Sequence, residues 1–331
     1  MKRAVLGALA MLWPAMMAVT PASAQEKFPS RPIKIIVPFG PGSATDVTAR
    51  TLGEAMKTVT GQQVIVENKP GAFGIISMDE LLRAKPDGYT ITLQNVSTAA
   101  ITPQLHKKRF SFDFDKMIVP ITRVVELPGF FTVSPKLMPD IKTWTDLVEW
   151  SKKNPGKMRY ATTGVGAFTH FEGEMFQIKA GAKWEHIPMK EGPPSFIKGI
   201  LAGDVHTASM TMPSIAGLIQ AGQLLPIATI SETRVPEYPN IPTLKEQGFG
   251  GIATNNWSAM YTSSEVPKPI LDELFRIVTA ALADPALVAN YKKQLIIPTP
   301  SKSLADAKAY QVSEMKHWKE MMDKVKIDLE N

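Results

Sequence analysis

The chain has 331 residues, and at about 150 residues per domain this length predicts two domains. The net charge is +6, from 37 basic and 31 acidic residues, and the basic residues are scattered rather than clustered, which argues against a nucleic-acid partner. The sequence contains no cysteine, which excludes disulfides, thiolate metal sites and cysteine nucleophiles.

The N-terminus has the pattern of a secretory signal peptide. Two basic residues precede an uncharged apolar stretch over residues 4–19, and Ala-Ser-Ala at residues 22–24 is a small-x-small cleavage site. The apolar stretch is shorter than the ~20 residues that span a bilayer. We therefore expect cleavage before Gln25 and export to the periplasm, with an uncleaved anchor as the alternative.

Strands and helices alternate after the signal peptide. The pattern predicts strands at 33–38, 63–66 and 89–93 and helices at 44–58 and 73–84. This β-α-β-α-β order predicts right-handed crossovers and a mostly parallel sheet.

The same alternation begins again after residue 130. Helices are predicted at 144–153, 169–180, 195–201 and 213–220, strands at 158–162, 185–188, 205–209 and 224–230, and two further helices at 270–283 and 303–328. Extended segments near 126–134 and 254–262 are interpreted as two crossovers between lobes. We expect one lobe to contain residues 25–127 and 262–331, and the other residues 128–261.

Two glycine-rich loops, each between a predicted strand and helix, are the candidate binding elements. Their sequences are PFGPGSATD at residues 38–46 and ATTGVGAFTH at residues 161–170. Ligands of open α/β sheets bind beyond the carboxyl ends of the strands, where unpaired helix amides and a partial positive charge suit an anion. A purely structural interpretation is also available, because Ser43 with Asp46 and Thr169 with Glu172 have the spacing of capping boxes.

An enzymatic function would need a nucleophile and a base. His170 is the best candidate base among the five histidines, and an exported hydrolase that pairs it with Ser43 or Thr169 stays open; the alternative is a solvated or core histidine. The sequence contains neither a G-x-S-x-G elbow nor a spaced histidine metal motif. We expect no catalytic residue, metal or cofactor.

Five segments of the chain form an ordered set: PSRPIKIIVPFGPGSATDVTAR, GQQVIVENKPGAFG, AKPDGYT, GVGAFTHFEGEMF and VPEYPNIPTLKEQGF. Together they resemble the Bug/TctC family, the exported solute-binding proteins of tripartite tricarboxylate transporters. The resemblance covers nearly all of the chain after the signal peptide. It implies an α/β fold of two lobes, a type II-like periplasmic binding protein with two crossover strands. It also implies a monomer that closes on a small carboxylate and delivers it to a membrane permease. A sensing subunit with the same fold is an alternative.

The resemblance also implies which residues hold the ligand. In the first lobe the contacts fall on Gly42, Ser43, Ala44 and Asp46, with Asn95, Ser97 and Thr98 after the third strand. In the second lobe they fall on Thr163, Gly164, Gly166, Ala167, Thr169 and His170. Phe39, Phe168 and Met210 are candidate walls of the binding site.

The chain departs from the usual family pattern at four positions. Ser43 and Phe73 stand where the family usually has glycine, and His206 and Met210 stand where many members have acidic residues. A cationic ligand would need a carboxylate partner, because a buried unpaired charge costs several kcal/mol. We therefore expect a carboxylate ligand with an apolar or aromatic body, or a dicarboxylate held at both ends.

Overall fold

The computed structural model describes residues 28–189, 192–231, 233–252, 256–325 and 327. The predicted signal peptide and its cleavage site lie outside these residues. Within the described ranges, no helix has both the length and the apolar character needed to cross a bilayer.

From residue 28 to residue 127 the described chain forms four strands and four α-helices. In order they are β1 (Ile33–Val37), α1 (Ala44–Thr60), β2 (Val64–Asn68), a 3₁₀ turn (Ala72–Gly74), α2 (Ile75–Arg83), β3 (Thr90–Asn95), a π-helical turn (Ser97–Ile101), α3 (Thr102–Leu105), a second 3₁₀ turn (Lys107–Arg109), α4 (Phe114–Met117) and β4 (Ile118–Leu127). The apolar run of β1 is buried or nearly so, as is typical of a strand paired in parallel on both sides.

Among the residues that the structure describes, the middle part forms five strands and four α-helices, and the last part forms two strands and three α-helices. The middle elements are β5 (Gly129–Val133), α5 (Trp144–Lys153), β6 (Arg159–Thr162), α6 (Phe168–Ala180), β7 (Glu185–Pro188), α7 (Pro193–Ala202), β8 (Thr207–Thr211), α8 (Met212–Gln220) and β9 (Leu225–Thr229). The last elements are β10 (Asn256–Ser263), α9 (Lys268–Leu282), α10 (Pro285–Lys293), β11 (Ile297–Pro298) and α11 (Leu304–Lys324).

The strands form two mixed sheets. The first has the order β11-β4-β10-β3-β1-β2 and the second β7-β6-β8-β5-β9. β1 is parallel to β2 and β3, and β6 is parallel to β7 and β8, as the alternating pattern predicts. The prediction of mostly parallel sheets is wrong, because β4, β5 and β10 pair antiparallel inside the sheets. Strands β5 and β10 come from the segments that were interpreted as crossovers, whereas β4 covers residues 118–127, most of which had no predicted strand.

The chain leaves the first sheet at the edge that carries its ligand-loop candidates. β4 ends at Leu127 and β5 begins at Gly129, so one residue separates the two sheets. Leu127 lies opposite Asn256, and Asn95 lies opposite Ser258, so the carboxyl end of β3 shares this edge. In the second sheet Gly129 lies opposite Thr211, at the carboxyl end of β8. The carboxyl ends of the parallel strands in both sheets therefore border the link between them.

The hydrophobic core connects the two sheets. One cluster packs α1 and α9 on the first sheet, and another packs α7 and α8 on the second. A third cluster contains residues of both, among them Tyr261 of β10 and Trp144 of α5. Helix α11 contacts both β4 and α6, and the ring of Trp318 lies 6.4 Å from that of Phe171.

The helix predicted at 73–84 begins later, at Ile75. Phe73 has φ = +56° and Ala72 has φ = +46°, both in the left-handed region, where a side chain costs about 1–2 kcal/mol. Gly71 and Gly74 on either side also have positive φ, so the chain makes a tight turn before α2. A Cβ added to Gly74 would lie 2.5 Å from Cγ2 of Thr98, which shows how closely this turn packs on the loop after β3.

Candidate functional site

The first glycine-rich loop ends in a capped helix start. Ser43 is the N-cap of α1, and its Oγ accepts a hydrogen bond from the Asp46 amide at 3.2 Å. The amides of Ala44 and Thr45 belong to the first turn, where the helix itself supplies no acceptor. Gly42 is exposed, whereas Ser43 and Ala44 are half-buried. This helix start can therefore offer two amide donors to an anion.

The carboxylate of Asp46 holds this loop in shape through hydrogen bonds. Its Oδ2 accepts from the Gly42 amide at 2.9 Å, and its Oδ1 accepts from Asn68 Nδ2 at 2.8 Å and Arg50 Nη2 at 2.9 Å. Asn68 also donates to the Phe39 carbonyl at 2.9 Å. Burial alone would raise the pKa of Asp46, but hydrogen bonds from Arg50, the Gly42 amide and Asn68 outweigh burial and hold that pKa below its usual value. The carboxylate is thus ionised and committed to the loop.

The loop after β3 is closed by its own side chains. The Asn95 amide donates to Thr98 Oγ1 at 3.1 Å, and the Thr98 amide donates to Asn95 Oδ1 at 3.2 Å. Both side chains are buried, while Ser97 is half-buried. Because β3 and β2 flank β1 in the sheet, this loop and Asn68 lie on either side of the first glycine-rich loop.

The second glycine-rich loop lacks the predicted capping box. Ala167, with extended φ and ψ, is the N-cap of α6 and provides no side-chain cap. The helix begins at Phe168, so Thr169 lies inside it, and the capping role predicted for Thr169 with Glu172 is wrong. The amides of Phe168 and Thr169 belong to the first turn and have no acceptor within the helix. This loop can therefore also offer two amide donors to an anion, at the same two helix positions as in the first loop.

The Thr169 side chain is directed into the protein. It lines an interior cavity of about 10 Å³ together with Trp144, Tyr160 and Ser209. Its Oγ1 is buried, and no hydrogen-bond partner for it is present among the described residues. A contact between Thr169 and a ligand would therefore come from the backbone amide.

The side chains of His170 and His186 contact residues of the second loop. His170 Nδ1 accepts from the Gly166 amide at 3.1 Å, and His170 Nε2 lies 3.8 Å from Glu174 Oε1. Burial lowers the pKa of His170 to about 4. Burial, and then the neighbouring His170, lower the pKa of His186 to about 4 against the opposing effect of Glu174. Both rings are therefore neutral at pH 7.

The hydrolase interpretation finds no support in these contacts. Within the described ranges, no hydrogen bond joins His170 to the hydroxyl of Ser43 or Thr169, and a nucleophile needs that contact with its base. The Ser43 hydroxyl accepts from the Asp46 amide instead.

The remaining predicted residues have different surroundings. Thr163 is exposed, and Gly164, Phe39 and Phe168 are half-buried. Met210 is 3% exposed and packs in the cluster of the second sheet with Phe130, so its side chain belongs to the core.

Sequence reasoning missed the residues that hold the loops. Arg50 and Asn68 support the first loop, and Thr162 and His186 support the second. Asn68 could have been found as the polar residue at a strand end beside the loop. The role of His186 can be inferred only once β7 is known to pair with β6.

Comparison with known proteins identifies the family. A family model described as "Tripartite tricarboxylate transporter family receptor" matches residues 48–327. Protein BugT of Bordetella pertussis (strain Tohama I) is 30% identical over 304 residues, which cover 90% of this chain and 90% of BugT.

Solved structures share the fold over nearly the whole chain. The periplasmic binding protein BugD has a TM-score of 0.78 and 30% identity, covering 90% of this chain and 98% of its own. An R. palustris protein with adipate has a TM-score of 0.81 at 22% identity, covering 91% and 99%. MatC from Rhodopseudomonas palustris with bound malate has a TM-score of 0.77 at 20% identity, covering 89% and 99%.

These proteins are two-domain periplasmic binding proteins, and the predicted fold class is confirmed. The family is one of binding proteins rather than enzymes. On the match of the family model to residues 48–327 and the likeness to BugT, the chain belongs to the tripartite tricarboxylate transporter receptor family.

Proposed function

We propose that this protein is exported to the periplasm, captures a small carboxylate between its two glycine-rich loops, and delivers it to the membrane permease of a tripartite transporter. It acts as a monomer. The ligand carries an apolar or aromatic body, or a second carboxylate at its other end.

One observation carries this proposal: each sheet presents a glycine-rich loop and a helix start at the edge that borders the link between the sheets. Two helix starts with unpaired amides suit an anion, because the amides donate hydrogen bonds and the helix dipole adds partial positive charge. The link itself is short, from Leu127 to Gly129 on one crossover. Both loops can thus reach one ligand from opposite sides.

The charges near the loops favour an acid over an amine. Asp46 is the acidic side chain predicted at the site, and its oxygens accept from the Gly42 amide, Asn68 and Arg50. An ammonium group would therefore have to compete with Arg50 for the same carboxylate. Half-buried Phe39 and Phe168, beside the two helix starts, offer apolar surface to the body of the acid.

Capture would proceed by hinge closure. The two lobes that we propose follow the sheets. The first holds the strands up to residue 127 and those from β10 onward, so its second boundary is moved from residue 262, expected from the sequence, to Asn256; the second lobe holds the strands between them. One carboxylate docks on the first loop, and the second lobe then closes over it and completes its hydrogen bonds.

A binding screen tests the proposal. Mono-, di- and tricarboxylates, aliphatic and aromatic, are added to the purified protein, and the melting temperature is measured before titration calorimetry of each acid that shifts it. Adipate and malate are the first probes, since proteins of the same fold hold them. At 100 times Kd a ligand stabilises by about 2.7 kcal/mol, which gives a clear thermal shift. Shifts with amines or sugars alone would overturn the proposal.

A further inference from the structure

Two histidine rings are stacked where α6 packs on β6 and β7. The ring centroids of His170 and His186 are 3.7 Å apart, and the ring planes differ by 14°. His186 lies opposite Tyr160 in the β6–β7 pair, and those rings are 5.3 Å apart. A Cβ added to Gly173 would lie 2.1 Å from the Tyr160 ring. The missing side chain at Gly173 therefore lets α6, and with it His170, approach the sheet this closely.

The stack reaches the second glycine-rich loop at two points. His170 Nδ1 accepts from the Gly166 amide at 3.1 Å. His186 Nε2 lies 2.5 Å from Thr162 Oγ1, which accepts from the Gly164 amide at 3.1 Å. In either tautomer of His186 the threonine hydroxyl can join the ring to the amide, because a hydroxyl both donates and accepts.

Both glycines need side-chain support to hold their backbone conformation. Gly164 has φ = +145° and Gly166 has φ = +77°, and a Cβ built on Gly164 would meet no atom within 4 Å. Glycine has more conformations available than any other residue, so a loop held by glycine alone would sample many shapes. His170 restrains the Gly166 amide directly, and His186 restrains the Gly164 amide through Thr162.

We propose that His186 is a positioning residue of the ligand-binding loop. Through Thr162 and through its stack on His170, it fixes Gly164 and Gly166 so that the first amides of α6 are presented to the ligand. This inference rests on the proposed function, because the loop's shape matters for transport only if the loop binds the ligand.

Amide hydrogen exchange, resolved by residue with NMR in the ligand-free protein, tests the restraint directly. His186→Phe keeps a flat ring for the stack but removes the nitrogen that contacts Thr162. We expect exchange at Gly164 to rise about tenfold. Thr162→Val removes the acceptor of the Gly164 amide itself and should produce at least the same rise, and adding His186→Phe to it should change nothing further, because His186 acts on Gly164 through Thr162. His186→Asn, which can still hydrogen bond, should restore part of the protection.

His206→Phe is the matched control. His206 is also a half-buried histidine, directly before β8, and its Nδ1 accepts from the Arg159 amide at 3.1 Å, at the opposite end of β6 from the loop. This variant should leave exchange at Gly164 and Gly166 unchanged. Unchanged exchange at Gly164 in His186→Phe would overturn the inference, whatever Thr162→Val shows.

Affinity separates this inference from the proposed function. If the wild-type protein binds adipate or malate, His186→Phe and Thr162→Val should raise Kd about tenfold while His206→Phe leaves it unchanged. Faster exchange with unchanged Kd would overturn the positioning role. If the wild-type protein binds no carboxylate of the screen, the proposed function fails, whereas the exchange data still decide whether His186 holds the loop.

Discussion

Ser43 and Thr169 occupy similar places in the sequence, each near a glycine-rich turn, but their hydroxyls have different surroundings. Ser43 Oγ caps α1, whereas Thr169 Oγ1 is buried and has no partner among the described residues. Ser43→Ala should therefore lower the free energy of unfolding by about 0.5–2 kcal/mol. Thr169→Val should leave it unchanged or raise it slightly, because it removes an unsatisfied buried group at constant shape.

Urea unfolding of both variants at pH 7.5 measures this contrast. The wild-type protein is the reference, and calorimetric titration with adipate reports separately on binding. Equal losses of stability in the two variants would show that Thr169 does cap the helix, against the geometry.

The stacked histidines predict a dependence of stability on pH. Burial lowers the pKa of His170 and His186 from 6.5 to about 4, so between these values the unfolded chain binds more protons than the folded one. Stability is therefore full above pH 6.5 and falls as the pH falls towards 4. Each unit of pKa difference corresponds to about 1.4 kcal/mol, so the loss is on the order of a few kcal/mol.

Urea unfolding between pH 7.5 and 4.5 measures this loss. A double variant with phenylalanine at both histidines cannot titrate there and should lose less stability over the same range. Carboxylates titrate in both proteins, so the difference between the two curves isolates the histidines. Parallel curves would contradict the assignment of buried, neutral rings.

At the scale of elements, the first loop, α1 and the end of β2 are joined by one carboxylate. Asp46→Asn would remove the charge that pairs with Arg50 and weaken the acceptor for the Gly42 amide. We expect a loss of about 1–3 kcal/mol, since Asp46 is buried and the variant replaces hydrogen bonds to a charged acceptor with weaker, neutral ones. Asp272→Asn is the control, because its pair with Lys268 is exposed and worth about 0.3–0.5 kcal/mol. Chemical denaturation of both proteins tests the contrast, and similar losses would show that Asp46 is not a loop support.

Elements with a clear local pattern were predictable from the sequence. The helix at 144–153 and the strand at 185–188 were predicted to the residue, and α1 was predicted to begin at Ala44 because a capping serine follows a glycine turn. The start of α6 was missed because Ala167, which has no capping side chain, is the N-cap. The strand β4 was missed because Pro120 and charged residues interrupt its apolar pattern. Antiparallel pairing of β4 with β10 depends on contacts more than 100 residues apart in the sequence, which no local pattern reports.

Only part of the candidate site could likewise be predicted from the sequence. The glycine-rich loops could be found because glycines, a strand end and a helix start are neighbours in the sequence. The supports of the second loop could not, because His186 reaches Thr162 from a neighbouring strand. Local sequence therefore identifies the loops that present amides, whereas tertiary pairing decides which side chains hold them in shape.

For the whole molecule, the shared core determines how the halves can move. Helix α11 packs on β4 of the first sheet and on α6 of the second, and one hydrophobic cluster contains residues of both. The proposed hinge motion must therefore keep the contacts of α11 and the shared cluster while the ends of the two sheets that carry the loops approach each other. In the hinge closure that we propose, backbone rotation would fall on the short link at Leu127–Gly129 and on the start of β10.

Because the chain has no cysteine, pairs of spin labels can be introduced at chosen sites without background labelling. Glu54 on α1 and Lys152 on α5 have exposed side chains and lie on helices of the two halves. Labels on Glu54→Cys with Lys152→Cys should give a broad distance distribution that shifts and narrows when adipate or another bound carboxylate is added.

A reference pair on Glu54→Cys with Lys268→Cys joins α1 to α9, which contact each other in the same half, and its distance distribution should not change. Pulsed electron–electron double resonance measures the distance distribution of both pairs. An unchanged distribution for the first pair at saturating ligand would show that capture occurs without hinge closure, and a change in the reference pair would show deformation within one half instead.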